Sequence, residues 1–256
     1  LLVGARSLIY LLFLALSVLL YGIPLALFGW WMSSLQRGRL GCQWGRVNLF
    51  ALRWICGLGI RTHGLDRLLA AANCIVLCKH QSAWETIALR ALLPPRQTWV
   101  LKRELLSIPV FGWALAPFRP IAIERKAGRK AMRQLLEEGE HWLRAGQWII
   151  IFPEGTRVAP GQRGRYGQGG AMLASKSGYP VLPIAHNAGA FWRRRSLKKF
   201  PGVVDLVVGE HIEPADRSVG EITRLAEQWI EGTVAALPLE RGETAGEQME
   251  SGTEPR

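Results

Sequence analysis

The chain has 256 residues, enough for one well-buried domain of roughly 200 residues and an appendage. Hydrophobic residues make up 49% of it, and 32 lysines and arginines stand against 20 acidic residues, for a net charge of +12. An acidic, low-hydrophobicity disordered chain is thereby excluded, and the partner is anionic, either nucleic acid or a membrane surface.

Residues 7–36 carry no charge, with Arg6 before them and Arg37 and Arg39 after. A bilayer core takes about 20 apolar helical residues, so this run can span a membrane or enter one deeply. It is too long for a cleaved signal peptide, and no small-residue cleavage site follows. Pro24 removes a helical hydrogen bond and predicts a kink. One kinked span and a helix dipping into one leaflet both fit. Residues 47–60, apolar apart from Asn48 and Arg53, are too few to cross and read as an interfacial helix, giving a hairpin with the first. Arg37, Arg39, Arg46 and Arg53 outnumber Arg6, which puts the main domain on the cytoplasmic side.

Short apolar runs then alternate with helical stretches. Residues 74–78 (CIVLC), 98–102, 119–125, 148–155, 181–186 and 203–208 read as strands. Residues 85–93, stopping at Pro94 and Pro95, and 128–146, 169–178 and 220–237 read as helices. Pro183 inside its strand predicts an edge or a bulge. This order predicts an α/β class: a single mixed, largely parallel sheet flanked by helices, with an N-terminal hydrophobic membrane helix or helical hairpin. The boundaries are 1–60 for the membrane-anchoring helices, 61–238 for the α/β domain and 239–256 for a tail. That tail holds five glutamates against Arg241 and Arg256, a net −3 that leaves +15 on the rest, and its polar composition predicts disorder. The four cysteines (Cys42, Cys56, Cys74, Cys78) lie in or beside apolar runs, complete no zinc pattern, and read as inert buried thiols in a reducing compartment.

Two stretches carry chemistry. In CKHQSAWET (78–86), His80 and Glu85 are five residues apart. On one continuous helix they would not face each other. They meet if His80 sits in the turn and Glu85 in the first helical turn. Ser82, three residues before Glu85, supports that as a capping-box pattern with Ser82 at the N-cap. Taken alone, Glu85 can be no more than a cap and His80 no more than a strand end. The same placement also suits a base and its orienter, because a helix N-terminus disfavours imidazolium and a carboxylate fixes the tautomer. In IIIFPEGTR (149–157) a buried strand runs into a turn, where α/β sheets bind ligands. Gly155 permits close backbone approach, and Thr156 and Arg157 offer donors for a phosphate. Arg163 and Arg165 follow among glycines, which an ordinary basic loop also explains. Glu124 and Arg125 after IAI (121–123) read as a surface ion pair, and His186, ending its strand, reads as structural without an evident partner.

Taken in order, His80-QSAW-Glu85, IAIER (121–125), FPEGTR (152–157) and VLPI (181–184) resemble the four blocks of the glycerolipid acyltransferase family, and most closely its bacterial 1-acylglycerol-3-phosphate members. Lys102-Arg-Glu104 resembles the K-x-E element between the first two blocks. The resemblance covers about residues 60–210, and departs where the first block ends in Glu85 rather than the usual Asp. It implies acyl transfer from acyl-CoA or acyl-carrier protein to the sn-2 hydroxyl of lysophosphatidic acid, with His80 as base and Glu85 as its orienter. It also implies an acceptor phosphate site of Arg125, Glu154, Gly155 and Arg157, with Lys102 placing the acceptor or donor. Glu154 has the wrong charge for phosphate, so it is expected to position an Arg or a loop amide. No cofactor beyond the acyl donor and no metal is expected. The expected location is the cytoplasmic face of the bacterial inner membrane, against anionic lipid, where each nearby Lys or Arg contributes about 1 kcal/mol. Other lyso-lipid acceptors, and a non-catalytic basic membrane-binding protein, are the alternatives. A nucleic-acid role is disfavoured. The basic residues do not interleave with exposed aromatics as in a binding module, and several of the 11 Trp lie in or near membrane segments.

Overall fold

The computed structural model of the chain describes residues 1–70 and 72–238; the side chains of residues 69, 70 and 125 and the whole of 239–256, where the acidic tail was expected, lie outside that description. Helix α1 (Leu2–Phe28) runs through Pro24 and is long and apolar enough to cross a membrane. Helix α2 (Ser34–Cys56) returns beside it, and the two form the expected hairpin. This corrects the reading of residues 47–60 as a short interfacial helix. A full capping box, with Ser33 Oγ accepting Gln36 N–H at 3.2 Å and Gln36 Oε1 accepting Ser33 N–H at 2.8 Å, starts α2 at Ser34. Gly57, left-handed at φ 70°, ends it.

One face of α1 is held to α2 by polar contacts in an apolar setting. Trp44 Nε1 and Asn48 Nδ2 each donate to Ser17 Oγ at 3.1 Å. The other face exposes Leu8, Ile9, Leu12, Leu16, Leu20 and Leu27. On its far side α2 lies flush against residues 87–95. A Cβ on Gly38 would stand 1.9 Å from the Pro95 carbonyl oxygen, and one on Gly45 2.8 Å from the Ala91 nitrogen, so only glycine lets the two surfaces meet there.

The chain continues through β1 (Leu58–His63), α3 (Asp66–Ala70), β2 (Ile75–Cys78), α4 (Trp84–Leu92) and β3 (Gln97–Lys102). Two 3-10 turns flank α5 (Phe111–Leu115), and then come β4 (Ile121–Ile123), α6 (Arg129–Arg144), β5 (Trp148–Ile151), α7 (Gly169–Ser177), β6 (Val181–His186), α8 (Ala188–Phe191), β7 (Gly202–Val208) and α9 (Val219–Ala236). Because β1 pairs with β7 from Leu58, residues 58–60 belong to the sheet and not to the membrane part.

Among the described residues seven strands form one sheet in the order β1-β7-β6-β2-β5-β3-β4, parallel except between β6 and β7. The mixed, largely parallel α/β fold is as expected. Alternation along the central strands divides the core in two. Val76, Cys78 and Ile150 point to the layer of Leu52, Trp84 and Leu89, whereas Ile75, Leu77 and Ile149 point to Leu135, Leu173, Ile222 and Ile230. All four cysteines are buried and free. Pro183 is not at an edge but does sit at a bulge, as the alternative expectation had it: between the Ile184–Val208 and Val181–Ile212 pairings, residues 182–183 face three residues, 209–211. Strand β6 is interior, and Pro183 tolerates this because its missing N–H faces β7 just before that ladder begins at Ile184. The Pro183 carbonyl there accepts Gly209 N–H at 2.9 Å.

Candidate active site

Strands β6, β2 and β5 are adjacent and parallel, so their carboxyl ends lie together at one edge of the sheet, where open α/β sheets place ligands. His186 ends β6, Lys79 and His80 follow β2, and Phe152 to Arg157 follow β5. Residues far apart in sequence meet because three parallel strands stop at one level.

His80 and Glu85 are brought together as expected. The buried Glu85 carboxylate accepts the His80 Nδ1 proton at 2.7 Å, which leaves His80 Nε2 free to act as a base. The same Glu85 Oε1 accepts Gln81 N–H at 3.0 Å and Ser82 N–H at 2.8 Å, and Oε2 accepts Ser82 N–H at 3.1 Å. Ser82 is not the side-chain N-cap expected. Helix α4 begins at Trp84, and Ser82 Oγ accepts Trp84 N–H at 3.2 Å. The turn is wound around the Glu85 carboxylate instead. Burial pushes the Glu85 carboxyl up, but the hydrogen bond from His80, the electrostatic pull of the nearby His186 and His80 rings and the Ser82 amide outweigh it, and its pKa is held below the ordinary value. Phe152 stacks on the His80 ring, centroids 4.0 Å apart and planes 14° apart, which fixes the ring's orientation.

His186 was missed as a member of this cluster. It is fully buried, its Nε2–H donates to the Lys79 carbonyl at 2.9 Å, and its Nδ1 accepts Ala188 N–H at 3.2 Å. Nε2 lies 3.9 Å from Glu85 Oε2. Burial lowers its pKa, against the pull of Glu85 and the Lys79 carbonyl, so it is a neutral wall behind the carboxylate. Its strand ends level with the one that delivers His80, a relation visible only once β6 and β2 are known to be neighbours.

Glu154 is placed differently from the phosphate site that the resemblance implied. Its side chain is wholly buried and reaches no ligand surface. Oε1 accepts Lys79 Nζ at 2.7 Å and Oε2 accepts His80 N–H at 2.9 Å. Lys79 Nζ also reaches Glu231 Oε1 on α9 at 2.7 Å, and the Tyr166 hydroxyl donates to that same oxygen at 2.8 Å. Burial pushes the Glu154 carboxyl up, against the Lys79 ammonium and the His80 amide. A buried carboxylate needs such partners, and here they make it the clamp on the His80 backbone. The expected loop amide is there; the expected Arg is a Lys.

His80 opens onto a cleft of about 340 Å³, with Trp99, Leu101, Phe118 and Phe152 among its walls and Lys102 and Arg157 on its lining. Lys102 pairs with Glu104 at 3.1 Å, both side chains about half exposed, a pair worth little in water. The Arg157 carbonyl accepts Arg194 Nη1 at 2.7 Å. Gly155 and Thr156 do not line the cleft. Gly155 takes the left-handed φ of 66° in the turn, where its N–H donates to Phe152 O at 3.0 Å, and Thr156 is exposed. Arg125 opens a 3-10 turn beyond β4, and its side chain lies outside the described residues.

A family model described as Acyltransferase matches residues 59–187. The chain is 39% identical over 236 residues, 91% of each sequence, to a 1-acyl-sn-glycerol-3-phosphate acyltransferase of Pseudomonas aeruginosa. It is 26% identical over 212 residues to the human beta enzyme of that name, covering 80% of this chain and 75% of that one. In fold it is similar to the crystal structure of the 1-acyl-sn-glycerophosphate acyltransferase of Thermotoga maritima, with a TM-score of 0.75 at 21% identity over 91% of this chain and 94% of that one.

Proposed function

The chain belongs to the acyltransferase family, and from that premise we propose that it transfers a fatty acyl group from acyl-CoA or acyl-carrier protein to the free sn-2 hydroxyl of 1-acylglycerol-3-phosphate, giving phosphatidic acid. Membership sets aside the non-catalytic reading. The observation that carries the acceptor and the chemistry is the His80–Glu85 pair opening onto a largely apolar cleft whose lining includes Lys102 and Arg157.

In this mechanism His80 Nε2 takes the proton of the acceptor hydroxyl as its oxygen attacks the thioester carbonyl carbon. Glu85 holds the tautomer and stabilises the imidazolium that forms. Collapse of the tetrahedral intermediate breaks the C–S bond, and the departing sulfur takes the proton from Nε2, so His80 ends as it began. No protein nucleophile is needed. Arg157 and Lys102 bind the acceptor's phosphate, which displaces Glu104 from Lys102. Helix α1, with its exposed apolar face, keeps the cleft at the headgroup level of a membrane, proposed to be the cytoplasmic face of the bacterial inner membrane, on anionic lipid.

The test is thiol release by purified protein in detergent, with acyl-CoA or acyl-carrier protein, offering 1-acylglycerol-3-phosphate beside other lyso-lipids to wild type and His80→Ala. Transfer to 1-acylglycerol-3-phosphate that vanishes in the variant supports the reading. Transfer only to another lyso-lipid overturns the acceptor, and activity retained by His80→Ala overturns the mechanism.

A further inference from the structure

No acidic residue occurs between Glu154 and Asp205, and the cations of that stretch crowd into the loop from α8 to β7, WRRRSLKKF (192–200). Arg193, Arg194, Arg195 and Lys198 are exposed, and among the described residues none of them is paired with a carboxylate. The loop is held in one shape. Phe200 N–H donates to the Phe191 carbonyl at 3.0 Å across its base. Lys199 is buried, its Nζ 4.5 Å from the Trp192 ring centroid and 5.5 Å from that of Tyr10 on α1, and its N–H donates to Ser7 Oγ at 2.9 Å. At the tip Ser196 N–H closes a turn on the Arg193 carbonyl at 3.1 Å, with Arg195 at a left-handed φ of 60°. That conformation is strained for a residue with a Cβ, and a turn ordinarily carries glycine there. Strain of this kind is kept where the side chain has a function.

The loop stands beside the active site. Val158 N–H donates to the His80 carbonyl at 2.8 Å, and the carbonyl of the neighbouring Arg157 accepts Arg194 Nη1 at 2.7 Å. With the fixed geometry of the peptide between them, Arg194 Nη1 lies within about 8 Å of the His80 carbonyl oxygen, and so within about 15 Å of His80 Nε2. Among the described residues, none of the loop lines the cleft itself, whose cations are Arg157, Lys102 and Arg90. The loop therefore offers anion-binding groups outside the cleft and a short way from the reacting histidine.

On the acyl-transfer reading proposed above, on which this inference rests, two phosphate-bearing molecules approach His80. The acceptor's phosphorus is four bonds from its reacting oxygen, about 5 Å when extended, so it stays inside the cleft. The donor's is farther away. Acyl-CoA and acyl-carrier protein both hold their thioester on a phosphopantetheine arm, in which thirteen bonds separate sulfur from phosphorus, about 16 Å when extended. A sulfur at His80 thus puts that phosphate at the distance of the loop. We propose that Arg193, Arg195 and Lys198 bind the phosphate end of the donor's phosphopantetheine arm, with Arg194 tying their loop to Arg157 at the cleft. Acyl-CoA, which adds further phosphates at that end, gains most. A bilayer surface attracts cations in any loop shape, and calls for neither the strained Arg195 nor the tie to Arg157.

The experiment is steady-state kinetics of the purified full chain in detergent, with acyl-CoA, acyl-4′-phosphopantetheine and acyl-pantetheine of one chain length, and acyl-carrier protein beside them. Wild type is compared with the triple variant Arg193→Gln, Arg195→Gln, Lys198→Gln. In wild type the KM for acyl-CoA is expected about tenfold or more below that for acyl-pantetheine, with acyl-4′-phosphopantetheine between. The triple variant should raise the acyl-CoA KM about tenfold, the effect of three exposed charge pairs, and leave the KM of acyl-pantetheine and of the acceptor unchanged. A rise seen only with acyl-carrier protein keeps the site and makes that protein its donor. Arg195→Gly, which relieves the turn, should raise the donor KM as well. Donor KM unchanged in both variants overturns the proposal, and so does equal KM along the donor series in wild type. A raised acceptor KM at unchanged donor KM, with weaker binding to phosphatidylglycerol vesicles, makes the loop a lipid contact and overturns it too. If wild type acylates no acceptor from any donor, the acyl-transfer reading itself fails, and this inference with it.

Discussion

Replacing Glu85 by Gln removes one charge and no heavy atom. Glu85 Oε1 takes hydrogen bonds from His80, Gln81 and Ser82, whereas Oε2 takes only a second contact from Ser82. A Gln amide therefore keeps its carbonyl at the Oε1 position and turns its NH2 toward the Ser82 N–H, one donor facing another, at a stability cost of about 1 kcal/mol. The catalytic loss is larger. Both groups are shielded from water, with side-chain exposures of 15% for His80 and 0% for Glu85. Charges about 4 Å apart at an effective dielectric of about 20 attract by about 4 kcal/mol, and each 1.36 kcal/mol is a factor of ten. The transition state should lose about a thousandfold in kcat, near the roughly ten-thousandfold drop in serine proteases when the Asp of the triad becomes Asn. The assay is kcat by thiol release at saturating donor and acceptor, beside thermal unfolding in the same detergent. A Glu85→Gln enzyme within tenfold of wild type, while His80→Ala is inactive, would show that the charge is not needed and that Glu85 only winds the turn.

Glu154→Gln tests the clamp: its amide turns a donor toward Lys79 or the His80 N–H while Glu231 still balances Lys79, so it should lower stability by about 1–3 kcal/mol and leave the acceptor KM of the folded fraction within about threefold. A raised acceptor KM at unchanged stability would return Glu154 to the phosphate site. Arg157→Ala should raise acceptor KM about tenfold or more with donor KM unchanged; an unchanged acceptor KM removes Arg157 from phosphate binding. Gly38→Ala puts a methyl group against the Pro95 carbonyl and should cost about 1–3 kcal/mol, read as a lower melting temperature. His186 is held neutral in the fold, so the unfolded chain binds a proton that the folded one does not once pH falls below about 6.5. The melting temperature should therefore decline as pH drops from there through the lower folded pKa, and less steeply in His186→Asn. Equal slopes would refute a buried neutral His186.

The central strands and long helices were legible in the sequence because each is a strong, one-sided or fully buried pattern. Strand β1 was not: LGIRTH places Arg61 and Thr62 on a partly exposed edge, and the apolar stretch before it reads as continuous helix up to Ile60. Residues 103–118 fold as 3-10 turns around a five-residue helix, which leaves no period to read. His80 and Glu85 could be paired from sequence because the contact is local. For Glu154 a loop amide could be expected but not which one, nor Lys79, since its partners are an ammonium and an amide 75 and 74 residues away. Arg90 reads as an ordinary helix-surface cation, and only α2 and Trp99 closing over it make it interior.

The buried link from Lys79 to Glu231 also sets an order of events during synthesis. Its two ends are 152 residues apart in the chain, and Glu154 and Tyr166, which complete the cluster, lie between them. While the ribosome has made only the first half of the sequence, Lys79 has no counter-ion and the His80 backbone no clamp, although α1 and α2 have already emerged. The buried cluster that braces the clamp on the His80 backbone is thus complete only when the closing helix α9 is added.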